Sequence, residues 1–401
     1  MKLSKLNKLQ LGTILVLVFM LAGLGSLAIP KAEKMEEKQA EVIAKEEPKS
    51  FTFMGVGDNL LHDAIFYYHE QDTGNRDFNL FYDNTRQYSQ AADLAYINFE
   101  TVCAGDEFGL SGYPSFNGPT EFIDALNNAG YDWFSISSNH SMDAGSDGLI
   151  AEINYIRDHY PDIRTTGSFR SEEEADDPTV IDVNGVKVGL CGFTYGLNGY
   201  VKPEGMDWLI DVYRKDDGSV DYDLMKKKLD ALAPISDVQF VAMHWGDEYV
   251  TQVTPEQREI ADWLNEQGVE VIIGTHPHVI EPVEFIKGEK QETLCYFSLG
   301  NFLSAQDDHE RMVGGMADFR LTYDPNTKET SFSDVKFIPT VTWISSDLHN
   351  YSTNTIHEYT DEMAASHYVS TQLGQDITKA WVNEYVHSVL GDPEGIEVVA
   401  E

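Results

Sequence analysis

The chain of 401 residues carries 28 Lys and Arg against 67 Asp and Glu, a formal net charge of −39. That balance repels phosphate backbones, so nucleic acid is excluded as an expected partner. A hydrophobic share of 42% with 20 Phe and 20 Tyr suits one large globular domain with short appendages. The three cysteines, Cys103, Cys191 and Cys295, are odd in number and lack C-x-x-C spacing, which indicates neither a disulfide framework nor a zinc–cysteine knuckle.

In chain order, the lysines Lys2, Lys5 and Lys8 precede an uncharged apolar run over 11–29, long enough to cross a bilayer as a helix. The flanking lysines stay cytoplasmic, which sends everything after Pro30 outside the cell. Residues 1–30 therefore read as a signal anchor or signal peptide. The apolar length favours a retained single-pass anchor in the cell membrane, whereas the small residues around Ser26 and Ala28 allow cleavage and secretion. Residues 31–50, rich in Glu, Lys and Ala, read as a charged linker holding the following domain off the membrane.

From Phe51 onward, apolar runs alternate with amphipathic stretches, which predicts an α/β domain. Strands are expected at 51–57, 93–98, 133–137, 180–183, 186–193, 238–243, 270–274 and 294–299, with the Asn184-Gly185 turn joining two of them. Helices are expected at 119–129, 147–158, 221–232 and 255–267, the first and last opened by Pro119 and Pro255 at the first helical position. Strands at 315–323 and 331–338 are placed on an outer sheet edge. The main domain is taken as 51–345, and 346–401 as a C-terminal extension with an amphipathic helix over 376–390.

The informative pattern is positional. One predicted strand after another ends in polar residues able to bind metal: Asp58, then Asn98 and Glu100, then Asn139 and His140, then His244 to Glu248, then His276 and His278. Ligands collect at the carboxyl ends of strands in open α/β sheets, so segments spread over more than two hundred residues are expected to share one cleft. Singly, each has a plainer reading. Asp58 suits a helix cap, Glu100 an exposed loop, Asn139 a turn and His244 a hydrogen-bonded core position. His276 and His278 are two apart, and in extended chain both rings would point to one side.

Together, Asp58, Glu100, Asn139, His244, His276 and His278 offer more donors than one tetrahedral zinc needs, and two divalent ions sharing a carboxylate fit better. Oxygen and nitrogen donors suit manganese, iron and zinc alike. His140 is positioned to donate a proton to a leaving group, with Asp143 orienting its ring.

The ordered set G-D at 57–58, N-F-E at 98–100, S-N-H-x-x-D-x-G at 138–145, H-W-G-x-E-Y at 244–249, G-T-H-P-H-V at 274–279 and S-L-G-N-F at 298–302 resembles the bacterial capsule-synthesis family of poly-γ-glutamate biosynthesis proteins, CapA/PgsA. That family is similar to the calcineurin-like metallophosphoesterases. The resemblance implies an α/β/β/α two-sheet sandwich, a dinuclear site at the strand ends with Glu100 bridging, and His140 as proton donor. It also implies a role in poly-γ-glutamate synthesis or export, with the membrane, synthase subunits and nascent polymer as partners. The alternative is a metal-dependent hydrolase of the phosphoesterase type acting on a cell-envelope substrate. Two departures bear on activity: the phosphoesterases begin with Asp-x-His where the nearest histidine here is His62, and the bridging position holds Glu rather than Asp. His62, Glu248 and Asn301 are additional candidates for the site.

Overall fold

The computed structural model describes residues 45–289 and 291–400. Pro48–Glu401 is one compact unit and carries every candidate site residue. The expected membrane-crossing run and most of the expected linker lie outside the described residues. Among those described, no helix is long and apolar enough to cross a membrane.

Fifteen strands form in chain order among the described residues. They are β1 (Lys49–Asn59), β2 (Leu94–Asn98), β3 (Trp133–Ser135), β4 (Arg164–Thr166), β5 (Thr179–Val183), β6 (Val186–Thr194), β7 (Val238–His244) and β8 (Val271–Thr275). β9 (Val283–Lys287), β10 (Glu292–Tyr296), β11 (Asn301–Leu303), β12 (Val313–Asp324), β13 (Glu329–Ile344), β14 (Tyr351–Thr355) and β15 (Glu397–Val398) complete the set. The longer helices are α1 (Asp63–Thr73), α2 (Glu121–Ala129), α3 (Gly145–His159), α4 (Tyr222–Leu232), α5 (Pro255–Gln267) and α6 (Lys379–Leu390).

These strands make two sheets of a mixed α/β fold. The first runs β14-β13-β12-β1-β2-β3-β4, with β11 on β1 and β15 on β13, and the second runs β5-β6-β7-β8-β10-β9. Period-two alternation explains how the second sheet is covered on both faces. Phe240, Ala242, Val271 and Ile273 join the core shared with the first sheet, where Phe240 meets Phe53 with ring centroids 5.5 Å apart. Val241, Met243 and Ile272 turn the other way and pack with Met225 and Leu229 of α4 and Ile260 and Leu264 of α5.

Local chemistry fixes the helix ends where the expectations hold. The Thr254 hydroxyl accepts from the Gln257 N–H, the Gln257 side chain accepts from the Thr254 N–H, and Pro255 occupies the first turn of α5. Pro119 behaves differently from its expected role: Thr120 is the residue flanking α2, so the proline lies one position outside. The strand near 315–323 is interior, because β12 pairs with both β1 and β13. Over 331–335 β13 pairs with β12 alone among the described residues, as an edge does, while β15 joins it at Lys336 and Phe337 and β14 over 340–344. Nor does residue 345 separate an extension from the domain. β14 hydrogen-bonds to β13, and Val382 and Val386 of α6 enter the main core.

One interior acid gives the fold a pH signature. Glu152 of α3 is buried and accepts the Cys103 N–H at 3.1 Å, and burial pushes its carboxyl up to about 8. The folded state therefore retains a proton that the unfolded chain releases near the ordinary value of 4.5. The associated stability is complete below that value and is lost as pH rises toward 8. Glu152→Gln is expected to melt near the parent at pH 5 and progressively above it toward pH 8. A midpoint difference that does not change with pH would refute the assignment.

Candidate metal centre

The centre forms where the carboxyl ends of parallel strands from both sheets meet. In β1 the pairing with β2 skips a residue between Val56 and Asp58, which sets Asp58 opposite Asn98. A bulge of this kind re-aims a side chain. Here the Asn98 amide donates to Asp58 Oδ1 at 2.8 Å. Gly57 is required at the bulge, because a Cβ there would sit 1.9 Å from the Gly300 carbonyl oxygen. That closeness lets the Asp58 N–H donate to Gly300 at 2.9 Å and brings Asn301 of β11 into register beside Asp58.

From the second sheet, His244 is the last residue of β7, and His276 follows β8 directly. His276 and His278 are not in extended chain. Their φ values are +99° and +60°, so a left-handed loop, rather than strand alternation, sets the ring centroids 5.9 Å apart. Such backbone is disfavoured for residues with a Cβ and is concentrated at functional sites. The His276 N–H donates to Asp58 Oδ1 at 3.3 Å, which ties the loop to the first sheet.

The six expected donors are all buried, and five of them fall into two triads. Donor atoms of Glu100, His276 and His278 lie within 4.8 Å of one another, as do those of Asp58, Glu100 and His244. Asn139 joins them, its Oδ1 standing 2.9 Å from His244 Nε2.

Hydrogen bonds hold the imidazoles in place. Thr275 Oγ1 lies 3.1 Å from His244 Nδ1 and donates to the Met243 carbonyl at 3.4 Å. His244 Nε2 faces Asn139 Oδ1 at 2.9 Å and Glu100 Oε1 at 3.7 Å. His278 Nδ1 stands between Asp58 Oδ2 at 3.0 Å and Asn301 Oδ1 at 3.1 Å, both acceptors, so its Nε2 is unprotonated and lies 3.9 Å from Glu100 Oε1. Both carboxylate oxygens of Glu100 and the Nδ1 of His276 are buried without a hydrogen-bond partner among the described residues.

Buried polar atoms left unpaired are costly, and lone pairs converging from several residues repel. A divalent cation satisfies them all, so the donor set fits a metal. The electrostatics agree. Burial first, then Asp58, Glu248 and Asp143, pushes the Glu100 carboxyl far above the carboxylate range. Burial and the neighbouring histidines push His244 and His276 well below 6.5, so both are neutral and able to ligate.

Beside this centre, His140 Nδ1 lies 2.7 Å from Asp143 Oδ2, which also accepts the Phe116 N–H at 2.7 Å. His62 flanks α1 at its N-cap position, and its ring stands edge-on to Phe116, which in turn is edge-on to His140. Burial, assisted by His278 and His140, lowers His62 to about 4. Asn301 Oδ1 lies against His278 Nδ1, its amide donating to Gln306 Oε1 and the Arg311 carbonyl. Glu248 is exposed and acts on Glu100 only through its charge.

Asn98, expected at its strand end, orients Asp58. Other residues escaped the sequence reading: Thr275 lies against His244 Nδ1, and Asn198 Oδ1 accepts from the Asn139 amide at 3.2 Å. Tyr195 packs its ring 4.6 Å from His276. Thr275 carried a usable signal, being adjacent to an expected ligand at a strand end. Asn198 and Tyr195 follow β6, which has no other metal-competent residue at its end. Trp245 is buried and donates to the Phe297 carbonyl at 2.9 Å, so it packs beneath the site instead of lining it.

The family model described as bacterial capsule synthesis protein PGA_cap matches residues 52–306. The chain belongs to this family. Among curated proteins, the chain is similar to the capsule biosynthesis protein CapA of Bacillus anthracis, 27% identical over 191 residues, covering 46% of this chain and 43% of the relative. The PGA biosynthesis protein CapA of Bacillus subtilis (strain 168) is 26% identical over 187 residues, 46% of each chain. The alignment thus spans less than half the length of these relatives. Among solved structures, one described as a novel phosphatase from Mycoplasma pneumoniae aligns at TM-score 0.45 and 15% identity over 74% of this chain and 95% of that one. A hypothetical protein from Thermus thermophilus aligns at TM-score 0.42 and 14% identity over 70% of this chain and 97% of that one.

Proposed function

We propose that this capsule synthesis family member is a membrane-anchored, extracytoplasmic component of poly-γ-glutamate capsule synthesis or export that carries a dinuclear metal site. The observation that carries the reading is Glu100, which belongs to both donor triads while neither of its oxygens has another partner. One ion would be held by Asp58, Glu100 and His244 and the other by Glu100, His276 and His278, with Asn139 beside His244. Bound divalent ions supply positive charge and Lewis acidity to a chain whose own charge of −39 repels a polyanion. The apolar run over 11–29 anchors the protein, with synthase subunits and nascent polymer as its partners.

A second reading is a metal-dependent hydrolase on an envelope phosphoester, and the His140–Asp143 pair favours it. Asp143 accepts from Nδ1 of His140, which leaves Nε2 as the atom that holds or delivers a proton. Elemental analysis of the full chain, purified without chelator, tests the shared foundation. Two divalent ions per chain are expected, and a single ion or none overturns the dinuclear site.

A further inference from the structure

Nine arginines occur in the chain. Seven of them, Arg76, Arg86, Arg157, Arg164, Arg170, Arg214 and Arg258, hydrogen-bond a carboxylate or carbonyl through the guanidinium. Arg311 and Arg320 do not. Arg320 is exposed on β12, far along the strand from the cleft, whereas Arg311 is half-buried and sits against the metal centre.

Three contacts place it there. The Arg311 guanidinium lies 3.8 Å above the Tyr249 ring, whose centroid is 6.0 Å from that of His278. The Tyr249 N–H donates at 2.7 Å to the carbonyl of Pro277, between the two ligand histidines, and Tyr249 holds a left-handed φ of +65° to do so. The Arg311 carbonyl accepts from the amide of Asn301, the residue that orients His278. The nearest carboxylate, Asp307, is 3.8 Å away and 73% exposed, an arrangement that binds the guanidinium weakly.

A cation stacked on a tyrosine, with its planar donor fork unused, is suited to a carboxylate or phosphoryl group. In so acidic a chain it is, among the described residues, the one guanidinium at this cleft left available for that task. We propose that Arg311 anchors an oxyanion of the substrate beside the metal centre, with Tyr249 as its platform. This rests on the metal-site reading above.

The test is residue-resolved phenylglyoxal labelling of the full chain, metal-free and metal-loaded, with inorganic phosphate in one series and glutamate in another. Labelling of Arg311 is expected to slow in at least one series while Arg320 labels unchanged. Protection by phosphate marks a phosphoryl ligand, and protection by glutamate a carboxylate. Arg311→Gln is expected to weaken binding of the protecting anion by about 10-fold or more, the worth of one charged hydrogen bond, with Arg311→Lys intermediate. Metal content should stay at the parent's level in both variants. Failure of Arg311 to label, equal protection of Arg320, or unchanged affinity in Arg311→Gln overturns the proposal. Absence of metal in the parent overturns the site reading instead, and the labelling of the metal-free chain still decides the role of Arg311.

Discussion

Glu100→Gln is expected to abolish retention of both metal ions at once. The side chain keeps its volume, so the buried site stays filled, but it loses the charge and the second oxygen donor that the two triads share. Its neighbours do not replace it: Asp58 is engaged by Asn98, His276 and His278, and Asn139 by Asn198. The loss of apparent affinity should exceed about 100-fold, the upper range for disturbing residues that merely support ligands. Elemental analysis and calorimetric titration measure it. The control is Glu281→Gln, which alters a buried acid paired with Gln257, and it should bind metal as the parent does. Loss of one ion with retention of the other would show that Glu100 is not shared, leaving two separate sites or a mononuclear one.

If the centre hydrolyses phosphoesters, His140→Ala lowers turnover of a generic phosphodiester by about 10²–10⁴-fold, the usual worth of a positioned acid or base. Metal content is unchanged, since His140 belongs to neither triad. Asp143→Asn should also lose most of the activity, because an amide at that position no longer enforces a proton on Nδ1 of His140. The separation is informative. Glu100→Gln removes metal and activity together, whereas changes at His140 and Asp143 remove activity alone. A metal-loaded parent with no turnover, or a His140→Ala variant as active as the parent, would sink the hydrolase reading and leave the capsule-assembly role.

Much of the site was legible because the chemistry recurs at the ends of strands. Runs such as 238–243 and 270–274 announce buried strands by nearly continuous apolar residues, and the polar residues that follow them then have few places to go. The same logic was unreliable where a local feature has two uses. Pro119 reads as a first-turn proline but precedes the residue flanking α2. The run at 315–323 reads as an edge strand, yet β12 lies between β1 and β13. Position in a sheet depends on partners far away in the chain, and alternation within one strand does not encode them.

The sequence by itself determined the donor types, their order and the strands that carry them, because periodicity and strand-end position are local properties of the chain. Only the tertiary structure decided how those donors are used. The bulge at Gly57 turns Asp58 toward Asn98, and the left-handed loop sets His276 and His278 around Glu100. Asp58 and Asn301 choose which imidazole nitrogen of His278 is free. Each of these rests on contacts between residues remote in sequence, where backbone closeness and burial, rather than residue type, fix the geometry.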